Sequence, residues 1–212
     1  MSTYSLSSER TGVLETREKI VEAAERVMRE KGLARSTTKE IARAAGYSEG
    51  TLYKHFESKE DLFLAVLAER LPSFLALVEE LPARVGRGTV RETLEQVATN
   101  ALAYYGEIVP MAASIFSEPA LLARHREGVR KRGAGPRMVN EALAAYLDAE
   151  ERLGRVREDT DPEAAAAMVL GACYQRAFFR SYLGEDVPAE GEESFVEGIV
   201  QTLMRSLSST EE

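Results

Sequence analysis

Apolar residues recur three and four positions apart along nearly the whole chain, the spacing of helices with one buried face. Ile20, Ala23, Ala24, Val27 and Met28 form such a stripe. They predict a helix from about Thr16 to Lys31, stopped by Gly32. Ile41, Ala42 and Ala45 make the inner face of a short second helix, closed by Gly46. Thr37 and Glu40 open it at capping-box spacing: the hydroxyl takes a backbone N–H and the carboxylate reaches back to the cap. A third short helix runs from near Ser48 to near Phe56. Ser58 caps a fourth, with the stripe Leu62, Phe63, Val66, Leu67, Leu71, Phe74, Leu75 and Val78. Pro72 interrupts that stripe, and a mid-helix proline kinks or breaks its helix. Either two helices meet there, or one rod of about 35 Å continues from Ser58 to Leu81. Further helices are predicted at about 88–106, 110–126, 136–151, 162–183 and 191–207. Gly86-Arg-Gly88, Pro110, Gly133-Ala-Gly-Pro136, Gly154, Asp161-Pro162 and Gly184 punctuate them. Strand-like alternation of useful length is absent from the sequence, so the expected fold class is all-α, with about nine helices.

The 212 residues allow one domain of ordinary size and a smaller second one. A net charge of −8 speaks against nucleic acid as a partner. Its distribution reverses that reading. Residues 1–65 hold 11 basic and 11 acidic side chains, so the remainder carries the whole excess. Between Arg35 and Lys59 there are five basic residues and three acidic ones. The single cysteine, Cys173, lies in an apolar helical run and reads as a small buried hydrophobe, with redox sensing as the alternative. One cysteine permits no disulfide within the chain. The N-terminus lacks an apolar signal core and no stretch of about 18 apolar residues occurs, so a soluble cytoplasmic protein is expected.

Gly46-Tyr-Ser-Glu-Gly-Thr-Leu-Tyr-Lys-His-Phe56 concentrates hydrogen-bonding groups on one short element. A short helix, a glycine turn and a second short helix form a helix-turn-helix pattern. Leu52 and Phe56, four apart, hold the inner face against Ile41 and Ala45. Ser48, Glu49, Thr51, Tyr53, Lys54 and His55 are then left to meet the major groove, whose base edges are read by hydrogen bonds. Gly50 permits close approach of phosphate or base. Lys59 places a charge at the N-terminus of the fourth helix, where phosphate is favoured. His55 is a poor metal ligand, since the other histidine, His125, is remote in sequence.

Three segments together resemble one family. They are Thr37-Thr-Lys-Glu-Ile-Ala-x-x-Ala-Gly46, Tyr47-Ser-Glu-Gly-Thr-Leu-Tyr-x-His-Phe56 and Lys59-Glu-Asp-Leu-Phe63, and they look like the signature of the TetR family of transcriptional repressors. The resemblance covers roughly residues 14–65. It implies a homodimer that grips a palindromic operator and is released by a small-molecule effector, with no cofactor. By position, Thr38 and Lys39 match the family's phosphate contacts, Ser48, Gly50, Thr51, Tyr53 and His55 its recognition-helix contacts, and Lys59 the phosphate-contacting lysine of the fourth helix. Glu49 and Lys54 sit where operator sequence is read. Glu49 brings a negative charge near DNA, so either a cytosine amino group or solvent must receive it. The implied domains are a flexible extension at 1–13, a helix-turn-helix DNA-binding domain at 14–60, a helical ligand-binding and dimerisation domain at 61–208 and a loose tail at 209–212.

In the C-terminal part, Tyr104, Tyr105, Met111, Phe116, Met138, Tyr146, Tyr174 and Phe178 are candidate pocket lining for an apolar or amphipathic effector, or plain core. Arg176 and Arg180, one helical turn apart, suit an anionic ligand group or rim salt bridges. Ala165, Met168 and Ala172 on one helix, and Phe195, Ile199, Thr202 and Leu203 on the last, are candidates for a dimer seam; the resemblance implies that the last two helices pair across the dimer as a four-helix bundle. An all-helical enzyme is the rival class, but no nucleophile elbow, phosphate-cradling loop or His-Glu metal motif is present in the sequence. A ligand-independent dimeric DNA-binding protein is the other alternative.

Overall fold

The computed structural model describes residues 3–70, 72–117, 119–131, 135–184 and 191–207. These residues form ten α-helices and one short 3-10 helix, and no strand occurs among them. The chain divides into two compact units.

The first unit comprises residues 1–71 and 110–132. It holds α1 (Thr3–Arg35), α2 (Thr38–Ala44), α3 (Glu49–Leu52), α4 (Lys59–Arg70), the end of a helix to be introduced below, a 3-10 helix (Ala113–Ser117) and α7 (Pro119–Lys131). α1 begins at Thr3, well before the apolar stripe that predicted it, so the extension expected to be loose is helical from there. Gly32 breaks it as expected, with φ of 74°, a conformation that costs glycine no steric strain. Ile20, Ala24, Met28, Ile41, Leu52, Phe56, Leu62 and Phe63 build the core. Met111, Ile115 and Leu121 from the returning segment complete it. The unit therefore does not end at residue 60, where the motif's pattern ends.

The second unit comprises residues 72–109 and 133–212. Its elements are α5 (Pro72–Arg84), α6 (Val90–Ala112, whose last three residues belong to the first unit), α8 (Pro136–Arg152), α9 (Pro162–Leu183) and α10 (Glu192–Leu207). Asp161 caps α9, accepting from the Ala164 N–H at 3.0 Å, and Pro162 stands at its first turn, where a missing N–H costs nothing. Leu94, Val97, Leu143, Leu147, Val169, Val200 and their neighbours form the core. Glu150 is fully buried; it accepts from the Gly86 N–H at 3.0 Å and pairs with Arg155 at 3.2 Å, which satisfies a charge that burial would otherwise make costly. Thr89 and Glu92 form a second capping box, at the start of α6.

The stripe from Ser58 to Leu81 is carried by two described helices, α4 to Arg70 and α5 from Pro72, a proline position that suits a helix start. Leu71 of that stripe and the tail at 209–212 lie outside the described residues. Pro110 does not end a helix: it sits inside α6, at the residue where the first unit resumes.

Candidate nucleic-acid interface

α2 is shaped by its cap. The Thr37 hydroxyl accepts from the Glu40 N–H at 3.1 Å and Glu40 accepts from the Thr37 N–H at 3.3 Å. Lys31 bonds the same carboxylate at 2.7 Å and, with Thr37, holds it below the ordinary carboxylate range. Gly46, with φ of 80°, turns the chain so that the Tyr47 N–H returns to the Ala42 carbonyl at 2.9 Å. Ser48 then caps α3, accepting from the Thr51 N–H at 3.1 Å, and its hydroxyl meets that of Thr51 at 2.9 Å. Leu52 and Phe56 are buried in the core with Ile41, and Ala45 packs on it. Two short helices are thereby locked to each other by caps, one glycine and two apolar anchors.

Their outer face is rich in polar groups. Lys39, Ser48, Gly50, Tyr53 and Lys54 are exposed, and Thr38, Glu49, Thr51 and His55 are half-buried. Tyr53 leaves 52% of its surface exposed although it is aromatic. Thr38 donates to Glu49 at 2.5 Å, and its hydroxyl lies 3.3 Å from that of Tyr53. Glu49 thus has a partner on a neighbouring helix, Thr38 of α2. Lys39, Arg43 and Lys54 form no ion pair among the described residues, so three cations stand unneutralised beside this face.

Lys59 is placed differently from a free surface cation. Its ammonium donates to the carbonyls of Ala34 at 3.1 Å and Ser36 at 3.0 Å. Ser36, buried, donates in turn to Gly32 at 2.6 Å. Lys59 therefore ties the first turn of α4 to the corner between α1 and α2. Spacing alone could not show this, because the acceptors come from a different helix.

The candidates of the C-terminal part separate. Tyr104, Tyr105 and Tyr174 join Phe74 in a chain of ring contacts with centroids 4.9 to 6.1 Å apart. Burial pushes the Tyr104 phenol up to about 12 and raises that of Tyr105 further. Met138 packs on the same core and Tyr146 is fully buried in it. Met111 belongs to the first unit's core, and Phe116, also in the first unit, is 71% exposed. An open groove in the second unit, of about 430 Å³, is lined by Glu95, Thr99, Leu102, Glu192, Glu193, Val196 and Glu197, none of them among the candidates. Arg180 pairs with Glu192, the rim salt bridge of the two readings, while the Arg176 guanidinium lies 5.3 Å from the Phe195 ring centroid. Cys173 is fully buried against the Ala98 carbonyl, and burial pushes its thiol up to about 12, so it packs as a hydrophobe.

The candidates for the dimer seam differ in exposure. Ala165 and Leu203 are buried in the unit's own core, and Ala172, Phe195 and Ile199 are partly buried. Met168 and Thr202 are exposed. The exposed apolar face lies on α9: Met168, Tyr174, Phe178, Phe179, Tyr182 and Leu183, with Tyr182 at 77%. Phe178 stacks on Tyr182 with ring centroids 5.9 Å apart. Among the described residues no helix is long and apolar enough to cross a membrane.

Comparison with known proteins agrees with this arrangement. Residues 20–66 match the family model for bacterial regulatory proteins of the tetR family. Residues 128–206 match that for the C-terminal domain of AefR-like transcriptional repressors. The transcriptional repressor BepR of Brucella suis is 29% identical over 202 residues, spanning 91% of this chain and 92% of BepR. A crystal structure of a TetR-family regulator from Mesorhizobium loti superposes with a TM-score of 0.72 at 19% identity, covering 93% of this chain and 98% of that one. The transcriptional regulator FadR from Bacillus subtilis, in complex with stearoyl-CoA, gives a TM-score of 0.66 at 19% identity, covering 89% and 98%. The capped α2–α3 pair, the all-helical second unit and these matches place the chain in the TetR family of bacterial transcriptional regulators.

Proposed function

We propose that this regulator is a repressor that binds a palindromic operator as a homodimer through α2 and α3 and is released by a small apolar or amphipathic molecule. The observation that carries the reading is the α2–α3 surface: its anchors Leu52 and Phe56 are buried, while Lys39, Arg43 and Lys54 stand unpaired among the described residues beside exposed Ser48 and Tyr53. Hydroxyl, phenol and amine groups read base edges and phosphates; three unneutralised cations supply the charge. Thr38, Lys39, Ser48, Gly50, Thr51, Tyr53, Lys54 and His55 are the proposed contacts. Glu49 positions Thr38, which also lies beside Tyr53, and Lys59 positions the α1–α2 corner.

One recognition helix per chain requires two chains for two half-sites about 34–36 Å apart. The exposed apolar face of α9 supports self-association, since a face of this kind in water favours burial. The effector class is supported by the aromatic cluster of Phe74, Tyr104, Tyr105 and Tyr174 and by the amphipathic stearoyl-CoA held by the similar FadR. The reading also fits a cytoplasmic protein.

The test is binding to a duplex that the protein itself enriches from a random-sequence pool. Wild type should bind with a steep salt dependence, each neutralised phosphate contributing about −0.9 to the log–log slope. Lys39→Ala and Lys54→Ala should each weaken binding and flatten that slope by about one. A protein that enriches no sequence, or two variants that bind as wild type does, would remove the α2–α3 assignment.

A further inference from the structure

Outside the α2–α3 surface, the strongest charge feature of the first unit is α7. It carries Arg124, Arg126, Arg130 and Lys131 against one acid, Glu127, an excess of three positive charges. None of the other nine helices exceeds an excess of one, and the chain as a whole stands at −8. These cations face solvent: the Arg124, Arg130 and Lys131 side chains are 66%, 78% and 73% exposed, and Arg126 is exposed as well. Arg130 pairs with Glu127, and Lys131 lies 4.0 Å from the same carboxylate, so one acid serves two bases. Arg126 and Arg130 are one turn apart with the same sign, which destabilises a helix. A local conflict of this sort points to a requirement outside the fold.

The position of α7 supplies the partner. Leu121 is buried in the first unit's core and the His125 ring lies 5.6 Å from that of Phe63 on α4. Arg124 reaches the buried Glu60 at 3.1 Å. Glu60 is in the first turn of α4, beside Lys59, whose ammonium binds the carbonyl of Ser36 just ahead of α2. α7 is thus fastened to the end of α4 that abuts the start of α2, within the same compact unit. Between Arg126 and Arg130 lie Glu127, Gly128 and Val129, whose side chains offer no hydrogen-bond donor to a base edge.

We propose that the outer face of α7 is a second DNA contact, made by Arg126, Arg130 and Lys131 with backbone phosphates beside the stretch that α2 and α3 engage. This rests on the DNA-binding reading above. The contact is sequence-independent: point charges on phosphates add affinity and register without reading bases. Arg124 is a positioning residue, since its guanidinium is held by Glu60.

The test uses the full-length protein and the duplex it enriches from a random pool, titrated over a salt series. In the triple variant Arg126→Gln, Arg130→Gln, Lys131→Gln the thermal midpoint should stay near that of wild type, because all three side chains are exposed. Affinity at physiological salt should fall at least tenfold, and the slope should flatten by about two to three. The ranking of single-base operator variants should not change. Glu127→Gln, which removes the one acid from this face, should bind more tightly and with a steeper slope. A triple variant that keeps wild-type affinity and slope while wild type binds would make α7 a solvated face and overturn the inference alone. A loss restricted to some operator sequences would overturn the phosphate assignment. Failure of wild type to enrich or bind any duplex would overturn both this inference and the reading it rests on.

Discussion

Gly50 shows how a residue can be required by something other than its own fold. Its φ is not positive, and a Cβ built there meets only the Ser48 hydroxyl, at an ordinary 3.8 Å. Alanine would fit, and replacing glycine inside a helix typically adds about 0.5–1 kcal/mol of stability. Gly50→Ala should therefore keep or raise the thermal midpoint, yet lower operator affinity at least tenfold by holding the DNA backbone away. Unchanged affinity would show that nothing approaches this residue closely. His125 gives a pH prediction. Burial lowers its pKa, and nearby Glu60 only partly opposes that. A histidine whose folded pKa is depressed binds fewer protons folded than unfolded, so stability rises with pH and is lost as pH falls through about 6.5. The wild-type midpoint should drop between pH 7.5 and 5.5, and His125→Phe should drop less over the same range. Equal drops would place the acid sensitivity in the carboxylates.

Elements are governed here by their ends. Thr37 supplies the cap that opens α2, and through it the angle at which α3 is presented. Thr37→Ala should cost about 1 kcal/mol, a fall of about 2–4 °C in the thermal midpoint for a chain of this size. Operator affinity should fall more than stability does, because both contact helices shift. Restoring the cap with Thr37→Ser should recover most of both; recovery of neither would show that the hydroxyl serves another purpose. α4 is a shorter element than the apolar stripe suggested. Twelve residues make a rod of about 18 Å, held from the side by Arg17 on α1 and by Arg124 and His125 on α7.

For the whole molecule, the decisive surface is α9. Tyr182 and Phe178 are exposed, whereas Leu203, on the more sharply amphipathic α10, is 7% exposed and belongs to the core. Two substitutions of one chemistry should therefore have different outcomes. Tyr182→Glu with Phe178→Glu should give a folded monomer by sedimentation and lose the tight operator binding of the dimer. Leu203→Glu should unfold the second unit, visible as lost helicity, because a buried carboxylate without a partner is strongly destabilising. A folded monomer from Leu203→Glu, or a stable dimer from the double variant, would move the interface elsewhere.

The sequence by itself determined what depends on near neighbours. The capping box at Thr37 and Glu40, the glycine turn at Gly46, the anchors Leu52 and Phe56 and the limits of α9 between Asp161-Pro162 and Gly184 all follow from interactions within a few residues. The family resemblance followed from the same local features. Periodicity says which face of a helix is apolar, but not what covers it. Burial is a contact between segments remote in sequence, so only the tertiary structure decided that Leu203 turns inward while Tyr182 does not, or that Met111 completes the first unit's core. It also decided that Thr38 holds Glu49, and that the Lys59 ammonium donates to the carbonyls of Ala34 on α1 and of Ser36 just after it. The charge of α7 was present in the sequence as four cations, but it acquired meaning only when folding fastened that helix beside the start of α4.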